Sequence, residues 1–431
     1  MPDAPEIFGM PAEKGRWGLV ALGLLINLCL GSIYSWSVFV APLAAHFTAT
    51  LGREVTAGEV LLPFSVFLAF FAVAMPLTGK YIERYGPRRV TIVGGLLTGL
   101  GWLLASTATS VEALYVVYGV IGGLGVGIAY GVPVAVATRW FPDRRGLAVG
   151  LTLLGFGFSA FVTANAAGAL IAAYGVMATF RVFGAALIAV LVLAALPLRF
   201  PPGGWRPKGW SPPPPGVGTA PISECDRRAM LRTGAFYGLF ACYFIGCLAG
   251  LAAISIAKPV GTEVAGVEAG LATVLVGFFA VFNGIGRPAF GSLADRITPQ
   301  KAAMLTFVLI AAASVLMWLV PGVPAYVLAF AVLWGCLGGW LAIAPTATAS
   351  YFGTCDYPRC YGVVFLAYGA GAIAGPQVAG FVRTATGTYL GVFPLVAALA
   401  AVGFVAAWLL MRPPAAAPVR EENGRGITPS R

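Results

Sequence analysis

Long apolar runs alternate along this chain with short polar segments, most of them basic. Twelve runs predict helices over about 17–42, 59–79, 90–109, 112–137, 147–172, 180–198, 233–257, 269–292, 301–320, 324–346, 361–381 and 388–411. Each is long enough to cross a bilayer, for which roughly 18 or more apolar residues suffice. An even number of crossings leaves both ends on one side. The longest interruption runs from Arg199 to Arg228 and carries Pro201, Pro202, Pro207 and the run Pro212 to Pro215. A proline-rich polar stretch of this kind reads as a linker between two bundles. The expected organisation is an N-terminal segment over 1–16, a six-helix bundle over 17–198, a linker over 199–232, a second six-helix bundle over 233–411 and a tail over 412–431. The fold class is therefore an all-α polytopic membrane protein.

Composition sharpens this picture. Of 431 residues, 59% are apolar and 10% charged, against roughly 45–50% and 25% in soluble domains. That excludes most soluble enzymes and every disordered reading. A net charge of +11 could indicate nucleic acid, but the basic residues form no groove; they punctuate the gaps between apolar runs. Of the 27 Lys and Arg, Arg53, Lys258 and Arg383 fall on one side and Arg181 and Arg287 inside predicted helices. All the others fall on the side of the chain ends, which places both ends in the cytoplasm. Asp3, Glu6, Glu13, Lys14 and Arg16 precede the first run and read as a cytoplasmic N-terminus rather than a signal peptide. Cys29, Cys225, Cys242, Cys247, Cys336, Cys355 and Cys360 show no paired framework, and His46 is the one histidine. No metal site and no cofactor are expected, and membrane lipid is the expected surrounding.

The two halves resemble each other. Met75-Pro76, Gly79, Glu83 and Arg84 recur 212 positions later as Arg287-Pro288, Gly291, Asp295 and Arg296. Pro133 and Pro345 share that offset, and Phe141 and Phe352 miss it by one. Repeated six-helix halves imply a transporter whose bundles rock about a site near the midplane.

All sixteen Asp and Glu are expected in termini or loops, whereas Arg287 lies inside a predicted span. It precedes Asp295 by eight residues, about 12 Å of helix, which places it near the middle of a core about 30 Å thick. An intramembrane arginine faces a cavity and takes a partner. Without a buried carboxylate, the simplest partner is an anionic substrate on the guanidinium fork; backbone carbonyls and water are the alternative. The same arithmetic puts Tyr130 and Tyr368 at similar depth. Asn283 lies one turn before Arg287, and Tyr34, Trp36 and Trp340 are further candidates at the bundle interface. Gly119, Gly123, Gly127 and Gly131 form a bare helical stripe for close packing. The loop Gly79-Lys80-Tyr81-Ile82-Glu83-Arg84-Tyr85-Gly86-Pro87-Arg88-Arg89 and its counterpart Gly291 to Arg296 put acid and base at helix ends. Such charges can latch the bundles in one state. A membrane enzyme would need a nucleophile with a base, or a metal cluster, at membrane depth, and the sequence offers neither. A sensor would need a signalling domain, for which the linker and tail leave no room.

Gly79-x3-Glu83-Arg84-x-Gly86 resembles the signature loop of the major facilitator superfamily, with Glu where Asp is usual. Within that superfamily the chain is similar to the oxalate/formate antiporters through Tyr34-Ser35-Trp36, Gly127-Ile128-Ala129-Tyr130-Gly131, the run from Arg139 to Gly146, and Asn283-Gly284-x-x-Arg287-Pro288. The resemblance covers nearly the whole chain apart from linker and tail. It implies secondary transport of a small carboxylate with Arg287 on its negative charge, in a bacterial inner (plasma) membrane, by a monomer. The oxalate transporter also uses a lysine on span eleven, and that position is Tyr368 here. One cation and a phenol suit a monocarboxylate such as formate, lactate or pyruvate. The related proton-coupled monocarboxylate transporters carry an Asp where Asn283 stands, and an amide holds no exchangeable charge. Exchange is therefore expected; proton symport and oxalate:formate antiport proper are the alternatives.

Overall fold

The computed structural model describes residues 6–55, 57–211, 227–354 and 356–413. Pro212 to Pro215, Cys225, Cys355 and nearly all of the expected tail lie outside them. Eleven helices among the described residues are long and apolar enough to cross a membrane. One of them, Leu62–Ala105, has 44 residues, about 66 Å of helix, or twice the bilayer core. It divides at Gly86, whose φ of +78° is left-handed backbone that favours glycine, and Pro87 then opens the next helix. Two crossings follow, so the described residues make twelve.

Span one comprises Ala12–Leu30, a 3₁₀ turn Gly31–Ser35 and Trp36–Leu51. Spans two and three share Ala57–Ala105. Spans four, five and six are Val111–Trp140, Arg145–Tyr174 and Val176–Ala195. The second half continues with Gly234–Glu263, Ala269–Ile297, Pro299–Leu319, Val323–Phe352, Tyr357–Thr386 and Tyr389–Leu410 as spans seven to twelve. The offset of 212 maps span four onto span ten and span five onto span eleven, residue for residue at both ends. It also maps Gly86 onto Thr298, which takes the same positive φ ahead of Pro299.

Two findings depart from the sequence reading. The first span is not one helix. Its 3₁₀ turn forms where Gly31 meets the backbone of Phe156 and Ser159 donates to the Leu28 carbonyl at 2.6 Å, and Tyr34 sits in that turn. The helices also outrun the apolar windows, so Glu59, Glu112, Glu263 and Asp295 lie in helix ends rather than loops. On the outer face Arg53 pairs with Glu59 at 2.9 Å and approaches Glu112 at 4.0 Å, and Arg383 pairs with Glu263 at 2.9 Å. A helix end in the headgroup region can carry charge that the apolar core would reject.

Close glycine contacts join the halves at one face, the one where the described residues begin and end and which is termed the inner face. Gly79 of span two lies against the backbone of Pro358 and Arg359, and Gly146 of span five against Gly291 of span eight. Higher up, Gly362 packs on Met75 and Pro76, and Gly150 on Arg287 and Pro288. These contacts are pairs under the internal symmetry: position 150 maps to 362, and 75–76 to 287–288. Only glycine allows such approach. A Cβ on Gly150 would stand 2.5 Å from the Arg287 oxygen.

Candidate substrate site

Arg287 lies where spans five and eight cross, wholly buried. One Nη donates to the Leu153 carbonyl of the other half at 2.8 Å, and the second donates to Asn283 Oδ1 at 3.2 Å. Asn283 in turn donates to the Trp334 carbonyl at 3.2 Å, which holds its oxygen toward the guanidinium. Those two bonds use two of the five N–H donors, and Nε has no partner. Gly157 makes room for the guanidinium; a Cβ there would lie 2.9 Å from Nε. Among the described residues no carboxylate forms an ion pair with Arg287.

Phenols close the other side. The Tyr34 and Tyr368 hydroxyls share a hydrogen bond of 2.8 Å between spans one and eleven, across the two halves, and Tyr34 lies within reach of the guanidinium. Phe156 packs beside both groups, edge-on to Tyr34 at 5.1 Å and 5.8 Å from the guanidinium carbon. Tyr130 packs on Phe71, Phe156 and Phe365 at 5.1–5.2 Å. The sequence reading missed Tyr243 and Tyr361, whose buried hydroxyls lie near each other without a well-aligned hydrogen bond. The seven-residue spacing of Tyr361 and Tyr368, two turns on one helix face, was the available signal.

The internal symmetry sets each polar residue of the site against an apolar one. Arg287 maps onto Met75, Asn283 onto Phe71, and Tyr368 onto Phe156. The first half keeps an apolar residue at each of these places, and the second half carries the polar one. Trp340 reaches this cluster only through Tyr243. It fills the space over Gly246, with Phe307 at 5.2 Å and Tyr243 at 6.2 Å, inside the second half. Trp36 is likewise internal to the first half, stacked on Tyr118 at 4.1 Å.

The loop charges divide into two groups. Asp295 accepts from the Gly146 and Leu147 amides at 2.7 and 2.9 Å, which caps span five from the opposite half. Glu83 accepts from Arg139 at 2.7 Å, and Arg139 donates onward to the Thr354 carbonyl of the second half at 2.9 Å. These bonds, with Gly79 and Gly291, close the inner face. Arg88, Arg89 and Arg296 are exposed, and exposed Arg84 lies over the Tyr85 ring at 5.4 Å; charges of this kind set topology. Arg16, which the sequence reading treated only as a terminal charge, holds Asp143 through two bonds of 2.6 and 2.9 Å and fixes the loop between spans four and five.

Twelve crossings in two halves related by sequence, closed at one face around a buried cation, define a membrane transporter and no enzyme. The chain belongs to the Major Facilitator Superfamily, whose family model matches residues 21–352 and 252–430. It is similar to an oxalate:formate antiporter of Oxalobacter formigenes, 28% identical over 374 residues that cover 86% of this chain and 85% of that protein. It is also similar to monocarboxylate transporter 13 of Bos taurus, 27% identical over 398 residues, 90% of this chain and 88% of the other. The crystal structure of a Major Facilitator Superfamily transporter, FucP, in the outward conformation shares the fold. The TM-score is 0.67 at 18% identity, over 90% of this chain and 98% of that one.

Proposed function

We propose that this transporter carries a small monocarboxylate of the formate, lactate or pyruvate type by alternating access, as an exchanger. The observation that carries the reading is Arg287. A buried guanidinium with a free Nε edge, and no carboxylate paired to it among the described residues, has the charge and planar geometry that one carboxylate matches. The cargo enters from the outer side while the glycine contacts and the Asp295 cap hold the inner face shut. Its carboxylate takes the open edge of Arg287, Tyr34 and Tyr368 donate to it in place of each other, and Phe156, Phe365 and Tyr130 exclude water. The halves then rock about the site and part at Gly146–Gly291 and Gly79–Arg359. The amide of Asn283 orients the guanidinium and, unlike a carboxylate, does not titrate, which favours exchange over proton symport. Both ends face the cytoplasm of a bacterial inner membrane in this reading, and a single chain suffices.

A thermal-shift panel on the purified protein tests it, with formate, acetate, lactate, pyruvate, oxalate and malonate, and with Arg287→Ala alongside. A ligand at ten times its dissociation constant stabilises by about 1.4 kcal/mol. Monocarboxylates should raise the melting temperature of the wild type alone. A shift from oxalate only would replace this reading with oxalate:formate antiport, and a shift that survives in the variant would remove Arg287 from the site.

A further inference from the structure

We propose that a basic cavity at the inner face, continuous with an apolar groove on the membrane side, binds one anionic phospholipid that clasps the two halves together. The cavity, about 360 Å³, is lined by Pro76, Leu77 and Lys80 of span two and by Arg227, Arg228, Asp356 and Arg359 of the second half. Four cations thus face one carboxylate. That carboxylate is already engaged: Asp356 accepts from the Arg227 amide at 3.0 Å and pairs with Arg359 at 3.3 Å. The buried Nε of Arg359 has no partner. The remaining positive charge matches a phosphodiester with its multiple acceptor oxygens.

Leu77 belongs to both spaces. It also lines a groove of about 510 Å³ floored by Ala74, Val90, Val93, Leu124 and Ile128. Leu77 is 61% exposed in a span that crosses the membrane, so the groove opens to acyl chains. Its rim marks the headgroup level: Tyr81 and Tyr85 stack at 6.2 Å, with Lys80 over the first ring at 4.8 Å. Tyrosine beside lysine is the pattern of a membrane–water interface. A phosphate in the basic cavity therefore has room for its chain along Leu77, which a free phosphate leaves empty.

The headgroup site exists only while the inner face is closed. Lys80 comes from one half and the arginines from the other, and both flank the Gly79–Arg359 contact. When the halves part, the lining parts with them. Binding to one state alone shifts the equilibrium toward that state, so the lipid favours the inward-closed carrier.

The test uses the purified full chain, with retained lipid counted by native mass spectrometry during titration with phosphatidylglycerol, phosphatidylcholine or inorganic phosphate. The double variant Lys80→Gln/Arg228→Gln removes two lining charges, and Arg206→Gln/Arg412→Gln removes two exposed charges elsewhere. Each basic group near an anionic headgroup counts for about a factor of five, so the first variant should weaken phosphatidylglycerol binding at least tenfold and the control less than about twofold. In parallel, spin labels at Arg88 and Arg296 should report a larger short-distance population with phosphatidylglycerol than with phosphatidylcholine, lost in the first variant. Equal weakening in both variants would overturn the site. Displacement of the lipid by millimolar phosphate would overturn the acyl-chain groove, and unchanged label distances would overturn the clasp.

Discussion

Tyr368 of span eleven joins the Arg287 cluster through Tyr34, with which its hydroxyl shares a hydrogen bond of 2.8 Å. Replacing it with lysine adds a second cation beside the first. Tyr368→Lys should therefore move the preference from formate toward oxalate by roughly tenfold or more, since a hydrogen bond to a charged group contributes about 1.5–3 kcal/mol; competition of the two anions in a liposome uptake assay reads this directly. Arg287→Lys keeps the charge and loses the fork, and should weaken monocarboxylate binding about tenfold, with Arg287→Ala weaker still. Equal binding by wild type and Arg287→Lys would mean that charge alone holds the cargo. Helical rise gives Arg287, Tyr130 and Tyr368 similar expected depths, Asn283 follows from its place one turn before Arg287, and Tyr34 is a bundle-interface candidate; the structure brings these side chains together around Arg287. In the sequence Trp36 and Trp340 are only further candidates at the bundle interface, and the structure packs both inside their own halves. Rise gives depth, but the side of the helix depends on packing partners, and Gly246 turns Trp340 into the core of its own half. The Leu153 carbonyl that Arg287 binds was illegible for another reason: every residue has one, and only tertiary contact decides which is used.

At the scale of helices the inner face is held by backbone approach and by caps. Asp295 receives two amide hydrogen bonds at the start of span five, where the helix dipole also favours its charge. Asp295→Asn keeps the shape but loses charge, and should weaken the closed inner face by about 1–2 kcal/mol. Labels on the inner face would then show a larger open fraction. Gly146→Ala should act in the same direction and more strongly, because the new methyl meets the Gly291 backbone, which has no rotamer to yield. An unchanged distance distribution in both variants would show that these contacts follow closure rather than hold it. The 212-residue offset made this pairing of loops legible, since it set Gly79, Glu83 and Arg84 against Gly291, Asp295 and Arg296 without any knowledge of packing. The break inside span one stayed hidden because its cause, the Phe156 and Ser159 contact on Gly31, lies on span five. Arg84, Arg88 and Arg89 sit beside Glu83 in the sequence, yet spacing alone cannot separate a charge that is paired, as Glu83 is with Arg139 of its own half, from one that faces water.

For the whole molecule the decisive quantity is what Arg287 does when no cargo is present. In the structure it bridges the halves itself, through Leu153 of the first and Asn283 of the second. An unloaded carrier must break the Leu153 bond to rock, which exposes a buried guanidinium with nothing to replace the lost acceptor, and that costs a few kcal/mol. On the proposed function, a loaded carrier keeps the cargo's carboxylate on Arg287 throughout. The return of the empty form should therefore be slow. Preloaded liposomes should release labelled formate or pyruvate at least about tenfold faster with the same anion outside than without it, because each 1.4 kcal/mol of barrier is tenfold in rate. Among the described residues no Asp, Glu or His touches Arg287, so this ratio should hold between about pH 6 and pH 8, where ordinary carboxylates stay ionised. Equal efflux into empty and anion-containing medium would show that Arg287 does not hold the empty carrier back. A ratio that collapses at low outside pH would show a proton taking the place of the second anion, and the carrier would then be a symporter whose proton site lies away from Asn283.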